Sequence, residues 1–162
     1  TIGRPECLGE CRRLARWTAL RSLGRKRVLL LDPPRDEVVS AYQAADLFVF
    51  GSAIECSPIV LFEAAASSTP FVTARCGNAA EICEWLGSGL LVEGSFDPEG
   101  FVRTGVAAMT AAIDQVLANR GVWRERAARA HDVWRRSFTW EGLALRYEEV
   151  YRSVVAGRAP AP

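Results

Sequence analysis

The chain has 162 residues, 49% of them apolar and 24% charged, with a formal net charge of +1. That suits a soluble globular domain with a core, and so small a net charge leaves no case for a nucleic-acid partner recruited by global charge. No apolar run approaches the length of a bilayer span, and the residues given carry no signal-peptide pattern.

In chain order, residues 1–8 read as a strand end entering a turn. Residues 9–20 place Leu14, Trp17 and Leu20 on one helical face, and Gly24 stops that helix. Residues 1–27 carry eight Arg or Lys against Glu6 and Glu10. This is either a solvated helix face or a patch facing phosphates or headgroups, so peripheral association with the inner face of a membrane stays open. Val28 to Leu31 is a continuous apolar run, expected as a strand covered on both faces and broken by Pro33 and Pro34. A helix follows from Asp36, its candidate cap residue, with Val38, Val39, Tyr42 and Ala45 at helical spacings. Leu47 to Phe50 is the next buried strand.

Gly51 and Ser52 turn the chain. Pro58 suits a first helical turn, with Ser57 as N-cap before it. The helix carries Ile59 to Ala66 and ends before Pro70, and Phe71 to Thr73 is another buried strand. Gly77 and Asn78 fit a tight turn into a helix from Ala79 to Trp85, and Gly89 to Leu91 is a final strand candidate. Residues 99–118, 122–136 and 141–155 read as three helices, the last with Leu145, Val150 and Val154 at apolar positions. Trp123, Trp134, Phe138 and Trp140 are expected to pack. Alternating strands and helices predict an α/β fold: a Rossmann-like parallel sheet flanked by helices, expected to lack its first strand–helix unit. Residues 1–97 would form the core, residues 98–157 the helices that complete the same domain, and residues 158–162 a flexible tail.

The five cysteines, Cys7, Cys11, Cys56, Cys76 and Cys83, are odd in number and form no CxxC framework. They read as reduced thiols in a cytoplasmic setting. His131 is the only histidine, expected to face solvent, and no metal-ligand set is complete.

Ligands of open parallel sheets lie beyond the carboxyl ends of the strands. Three loops leave such ends: residues 51–57, 74–78 and 94–97. The helix starting near Pro58 would aim its first free amides, those of Ile59 and Val60, at a phosphate or diphosphate, with the hydroxyls of Ser52 and Ser57 beside them. Glu55 lies at the mouth and Glu63 one to two turns into the helix. One carboxylate on a ribose diol and one near the phosphate-linked group form a coherent geometry for a nucleotide-sugar. Against this stands the plain reading of both as solvated residues, weakened at Glu63 by its apolar neighbours. Asn78 either bonds a ligand hydroxyl or caps the following helix. Glu81 reads as first-turn helix stabilisation.

These motifs, in this order, resemble the C-terminal half of GT-B fold retaining glycosyltransferases, the family 4 or group 1 class. The segment AYQAADLFVFGS from Ala41 is similar to one that usually ends in Pro-Ser. The paired glutamates stand as Glu55-Cys-Ser-Pro-Ile-Val-Leu-Phe-Glu63, Cys76-Gly77-Asn78-Ala79-Ala80-Glu81 resembles the Gly-rich turn, and SFTWEGLALRYEEVYRSV resembles the closing helix. The resemblance implies a nucleotide-sugar donor, UDP- or GDP-linked, whose sugar passes with retention to a hydroxyl acceptor. It assigns Glu63 to the ribose, Glu55 to the donor sugar as the catalytic residue, the segment from Ser57 to Val60 to the diphosphate, and Gly77 and Asn78 to the donor site. No cofactor and no bound metal are implied. An Arg/Lys pair for the diphosphate and an N-terminal acceptor domain are implied upstream of Thr1, so this chain alone is expected to be inactive. Gly51 stands where the family has Pro, and Cys76 where it has the first Gly of a pair. A non-catalytic nucleotide-sugar-binding or assembly module is the alternative, and a receiver-like signalling domain finds poor support in Asp32 alone.

Overall fold

The computed structural model describes residues 5–158. The chain divides between Val38 and Val39 into two compact units, each described by itself.

In the first unit, α1 spans Pro5–Arg21. It starts earlier than the Gly9 expected from periodicity, since Pro at a helix start loses no hydrogen bond; residues 1–4 of the expected strand end lie outside the described residues. The Gly24 N–H returns to the Ala19 carbonyl at 2.8 Å and closes the helix end. Leu14, Trp17 and Leu20 are exposed. Val28, Leu29, Leu30 and Leu31 form no strand and are exposed too, contrary to expectation. A parallel strand exists only where a neighbour completes its ladder, and this run pairs with no strand among the described residues.

Helix α2, Arg35–Ala44, bridges the division and begins at Arg35, so Asp36 sits in its first turn instead of capping it. The second unit is built on a three-stranded parallel sheet in the order β1-β2-β3: Phe48–Phe50, Phe71–Ala74 and Leu90–Val92. Helix α3 (Ile59–Ala66) connects β1 to β2 and α4 (Ala79–Leu86) connects β2 to β3. Every residue of β2 is buried. Val72 points into a cluster with Val92, with Ala112 and Val116 of α5 (Val106–Ala118), and with Trp123 of α6 (Arg120–Ser137). Because side chains alternate along a strand, Phe71 and Thr73 face the other side. There the Phe71 ring abuts Gly89 and shares that spot with Cys83 of α4. The sheet is thus covered by helices on both faces.

Trp123, Ala127 and Ala130 recur at i, i+4 and i+7 and are buried, giving α6 one inward stripe; α6 packs along α3 and α4. Asp46, just before β1, accepts from Arg124 at 2.8 Å and lies 3.5 Å from Arg120, tying the start of α6 to the start of the strand. Thr69 donates its hydroxyl to the Tyr42 carbonyl at 2.7 Å, which fixes α2 to the turn before β2. Phe138 packs on Phe62 and Trp85, as expected of a packing residue. Trp140, also expected to pack, is exposed at the start of α7 (Trp140–Val155), and Leu145, Val150 and Val154 of that helix are exposed as well. His131 is half-buried beside Trp134 instead of standing in solvent.

The helix expected over residues 99–118 is shorter. Residues 95–103 form an antiparallel hairpin, β4 (Ser95–Phe96) and β5 (Val102–Arg103), and α5 begins only at Val106. Asp97 organises the turn by accepting the Phe101 N–H at 2.8 Å and the Arg103 guanidinium at 2.7 Å. These bonds satisfy backbone groups that a helix would otherwise have taken.

Leu61 is fully buried on α3. Leu61→Ala is expected to destabilise the second unit by about 2–5 kcal/mol, read as a lowered urea midpoint at unchanged slope.

Candidate active site at the carboxyl ends of the strands

Adjacent parallel strands β1 and β2 deliver their loops to one edge of the sheet. The first loop, residues 51–57, leaves β1 and returns into α3. The second, residues 75–78, leaves β2 and enters α4. The Asn78 N–H donates to the Cys56 carbonyl at 3.1 Å. Gly77 has φ +51°, and a Cβ there would lie 2.5 Å from the Cys56 carbonyl oxygen and 2.6 Å from that of Glu55. Only glycine meets both the left-handed backbone and the close approach. A third segment closes the arrangement, with the Val102 N–H of β5 donating to the Ala53 carbonyl at 2.7 Å. Within the loop, the Ser52 hydroxyl donates to the Ile54 carbonyl at 3.1 Å.

Glu55 is therefore carried on a short stretch pinned on either side, at Ala53 and at Cys56. It is half-buried. Its charge reaches the buried Cys76: burial pushes that thiol up, and the Glu55 carboxylate pushes it further. Cys76 is thus a neutral, enclosed thiol below the loop, whereas Cys56 is exposed. Burial also pushes the Cys83 thiol up to about 11.

Pro58, not Ser57, occupies the N-cap of α3, and no side chain caps it. The reason is local: Pro58 takes φ −73° and ψ 92°, an extended conformation, so the helical turn starts one residue later. Ser57 is exposed and Ser52 half-buried. The Leu61 N–H folds back to the Pro58 carbonyl at 3.1 Å. The amides of Ile59 and Val60 head the helix, where no intrahelical acceptor exists. Glu63 lies one turn further and is half-buried. Asn78 occupies the N-cap position of α4, yet its side chain makes no capping bond. Its Oδ1 is buried without a hydrogen-bond partner among the described residues. The capping alternative for Asn78 is thereby removed. Glu81 sits exposed in the first turn of α4, where its charge complements the helix end.

The structure thus brings Ser52, Glu55, Ser57, Gly77 and Asn78 together on two linked loops, with Ile59 and Val60 at the helix entrance and Glu63 on the helix that follows. Among the described residues no group of three or more His, Cys, Asp or Glu could hold a metal ion, and no helix is long and apolar enough to cross a membrane.

Comparison with known proteins decides the family. A model described as "Glycosyl transferases group 1" matches residues 3–119, more than half of the chain. The chain belongs to the group 1 glycosyltransferases. It is similar to the D-inositol 3-phosphate glycosyltransferase of Corynebacterium urealyticum, at 33% identity over 94% of this chain and 32% of that protein. The enzyme of the same name from Corynebacterium diphtheriae is 36% identical over 81% of this chain and 29% of that protein. The sucrose-phosphate synthase structure from Thermosynechococcus elongatus shares the fold, with a TM-score of 0.66 at 24% identity over 90% of this chain and 35% of that one. This group 1 glycosyltransferase chain therefore spans about a third of the length of the curated relatives it matches.

Two features of the candidate site escape the motif reading. Arg75, at the end of β2, holds Glu93, at the end of β3, through a 2.6 Å bond from Nε to Oε2. That bond raises the Arg75 pKa and lowers that of Glu93. The pair is exposed, so it adds orientation more than stability. The other is the Asp97 turn described above. Burial pushes the Asp97 carboxyl up, but the Phe101 N–H, the Arg103 guanidinium and the Glu99 N–H outweigh it and hold the group below the usual carboxylate range. Asp97 followed three residues later by Gly100 was the available signal, because that spacing suits a polar turn.

Gly77→Ala places a methyl group against two carbonyl oxygens and adds backbone strain. It is expected to cost about 1–3 kcal/mol and to open the two loops, read as a lowered melting temperature together with faster exchange of the Asn78 amide.

Proposed function

We propose that the chain is the donor-binding part of a retaining glycosyltransferase that moves a sugar from a UDP- or GDP-linked donor to a hydroxyl acceptor. The observation that carries this reading is the junction of the two loops: Gly77 lies against the carbonyls of Glu55 and Cys56, beside the uncapped start of α3. Backbone amides at a helix start, unblocked by any capping side chain, favour a diphosphate. In this reading the N–H groups of Ile59 and Val60 meet the diphosphate, and the hydroxyls of Ser52 and Ser57 add to them. Glu63 accepts both hydrogens of the ribose diol. Glu55 meets the donor sugar as the catalytic residue, and Gly77 lets the turn approach. The buried Oδ1 of Asn78 supports a role in accepting from a ligand hydroxyl.

Negative charge grows on the diphosphate as the glycosidic bond breaks, so donors preorganised at that point lower the barrier. The acceptor would be held by the part of the parent protein outside this chain. The similar enzymes are named D-inositol 3-phosphate glycosyltransferases, which favours a polyol hydroxyl as the acceptor class. A cytoplasmic reaction fits the reading of the cysteines as reduced thiols.

Calorimetry on the full-length parent is expected to give saturable UDP or GDP binding that Glu63→Ala weakens by about tenfold or more, the scale of a charge-assisted hydrogen bond. Unchanged affinity would sink the ribose role. Glu55→Ala is expected to lower kcat far more than nucleoside-diphosphate affinity, and turnover equal to wild type would remove Glu55 from the reaction.

A further inference from the structure

We propose that Asp97 is a positioning residue for Glu55, acting at a distance through the β4–β5 hairpin. The proposal rests on the donor-site reading of Glu55 and extends it to a part of the chain that the glutamate motif does not include.

The link can be followed atom by atom. Asp97 Oδ1 accepts the Phe101 N–H at 2.8 Å, and Oδ2 accepts from Arg103 Nε at 2.8 Å and Nη2 at 2.7 Å. The Asp97 N–H donates to the Phe101 carbonyl at 3.0 Å, and the Gly100 N–H to the Asp97 carbonyl at 3.0 Å. One carboxylate, only 13% exposed, thus grips both the turn and the far strand. Between residues 101 and 103 lies Val102, 5% exposed, whose N–H holds the Ala53 carbonyl at 2.7 Å. The hairpin has little freedom to slide, because a Cβ on Gly94 would lie 2.9 Å from both the Arg103 carbonyl and the Val102 side chain.

Glu55 stands two residues beyond Ala53 and one before Cys56, the second pinned carbonyl. With the tie at Ala53 lost, the stretch carrying Glu55 loses one of its two links to neighbouring segments, and the remaining Asn78–Cys56 bond opens more readily. A carboxylate that must meet one sugar atom tolerates little of that freedom, since a misplacement of about 1 Å costs about a hundredfold in rate. Affinity for the nucleoside diphosphate rests chiefly on the leading amides of α3 and on Glu63, which the hairpin does not touch through any of these bonds, with only the hydroxyls of Ser52 and Ser57 on the braced loop. Asp97 therefore governs turnover more than donor affinity.

The test uses the full-length parent with Asp97→Ala, Asp97→Asn and Glu55→Ala. Amide hydrogen exchange reads the brace without reference to catalysis. Asp97→Ala is expected to speed exchange at Val102 and Asn78 by about tenfold or more, with Val72 and Thr73 in β2 unchanged. It is expected to lower kcat by about 10- to 100-fold, with the Kd for UDP or GDP within about threefold of wild type. Asp97→Asn keeps an acceptor for the Phe101 N–H and is expected to recover most of both readouts. Unchanged exchange at Asn78 would overturn the link across the loop. Fast exchange at both amides with wild-type kcat would overturn the positioning role while leaving Glu55 in place, provided that Glu55→Ala, measured alongside, loses turnover. Wild-type turnover in Glu55→Ala would overturn the donor-site reading and the positioning role with it.

Discussion

Two carbonyl oxygens, those of Glu55 and Cys56, press against a residue that can have no side chain. Around that contact the carboxyl edge of the sheet is assembled. Gly77 must take a left-handed backbone to bring the Asn78 N–H onto Cys56, and the same turn starts α4. Pro58 closes the first loop in an extended conformation, and this sets where α3 begins. Strand pairing brings the loops to one edge. The steric demand at Gly77 fixes their separation.

The constraint also bears on the polar groups. On most surfaces a helix start is capped by the nearest hydroxyl or amide side chain. Neither α3 nor α4 has such a cap, as also holds for α5 and α6, whereas Thr139 caps α7. Both loops use backbone groups to hold each other, which leaves the leading amides of α3 and the Asn78 side-chain oxygen without a capping bond. Native structures seldom leave a buried amide oxygen such as that of Asn78 unmatched without a reason.

Much of the second unit was legible in the sequence because its punctuation is strong. Gly51, Pro58, Pro70 and Gly77 separate β1, α3, β2 and α4 almost to the residue, and the continuous apolar runs of β1 and β2 suit a sheet covered on both faces. The failures have equally local causes. Val28 to Leu31 has the same composition as a buried strand, but composition does not supply a neighbour for the backbone ladder. The Ala-rich pattern of α5 spreads upstream when read by periodicity alone, which hid a hairpin held by one carboxylate. Ser57 offered the ideal cap chemistry, yet the extended backbone of Pro58 moved the helix start past it. The residues that gather at the candidate site were legible because they belong to the loops themselves. The Asp97–Gly100 spacing marks a polar turn, but the link from Asp97 to the first loop passes through β5 and a main-chain bond, and such bonds leave no residue-type signature.

The exposed run from Val28 to Leu31 has a consequence for the chain in solution. Four consecutive branched apolar residues without charge are the kind of segment that adds itself to another copy as a cross-β stack. Arg25, Lys26 and Arg27 stand directly before it, with Arg27 adjacent, and Asp32, Pro33 and Pro34 directly after it. Like charges brought into register repel, and two prolines end any ladder after a few rungs. These six residues are placed as gatekeepers of that run.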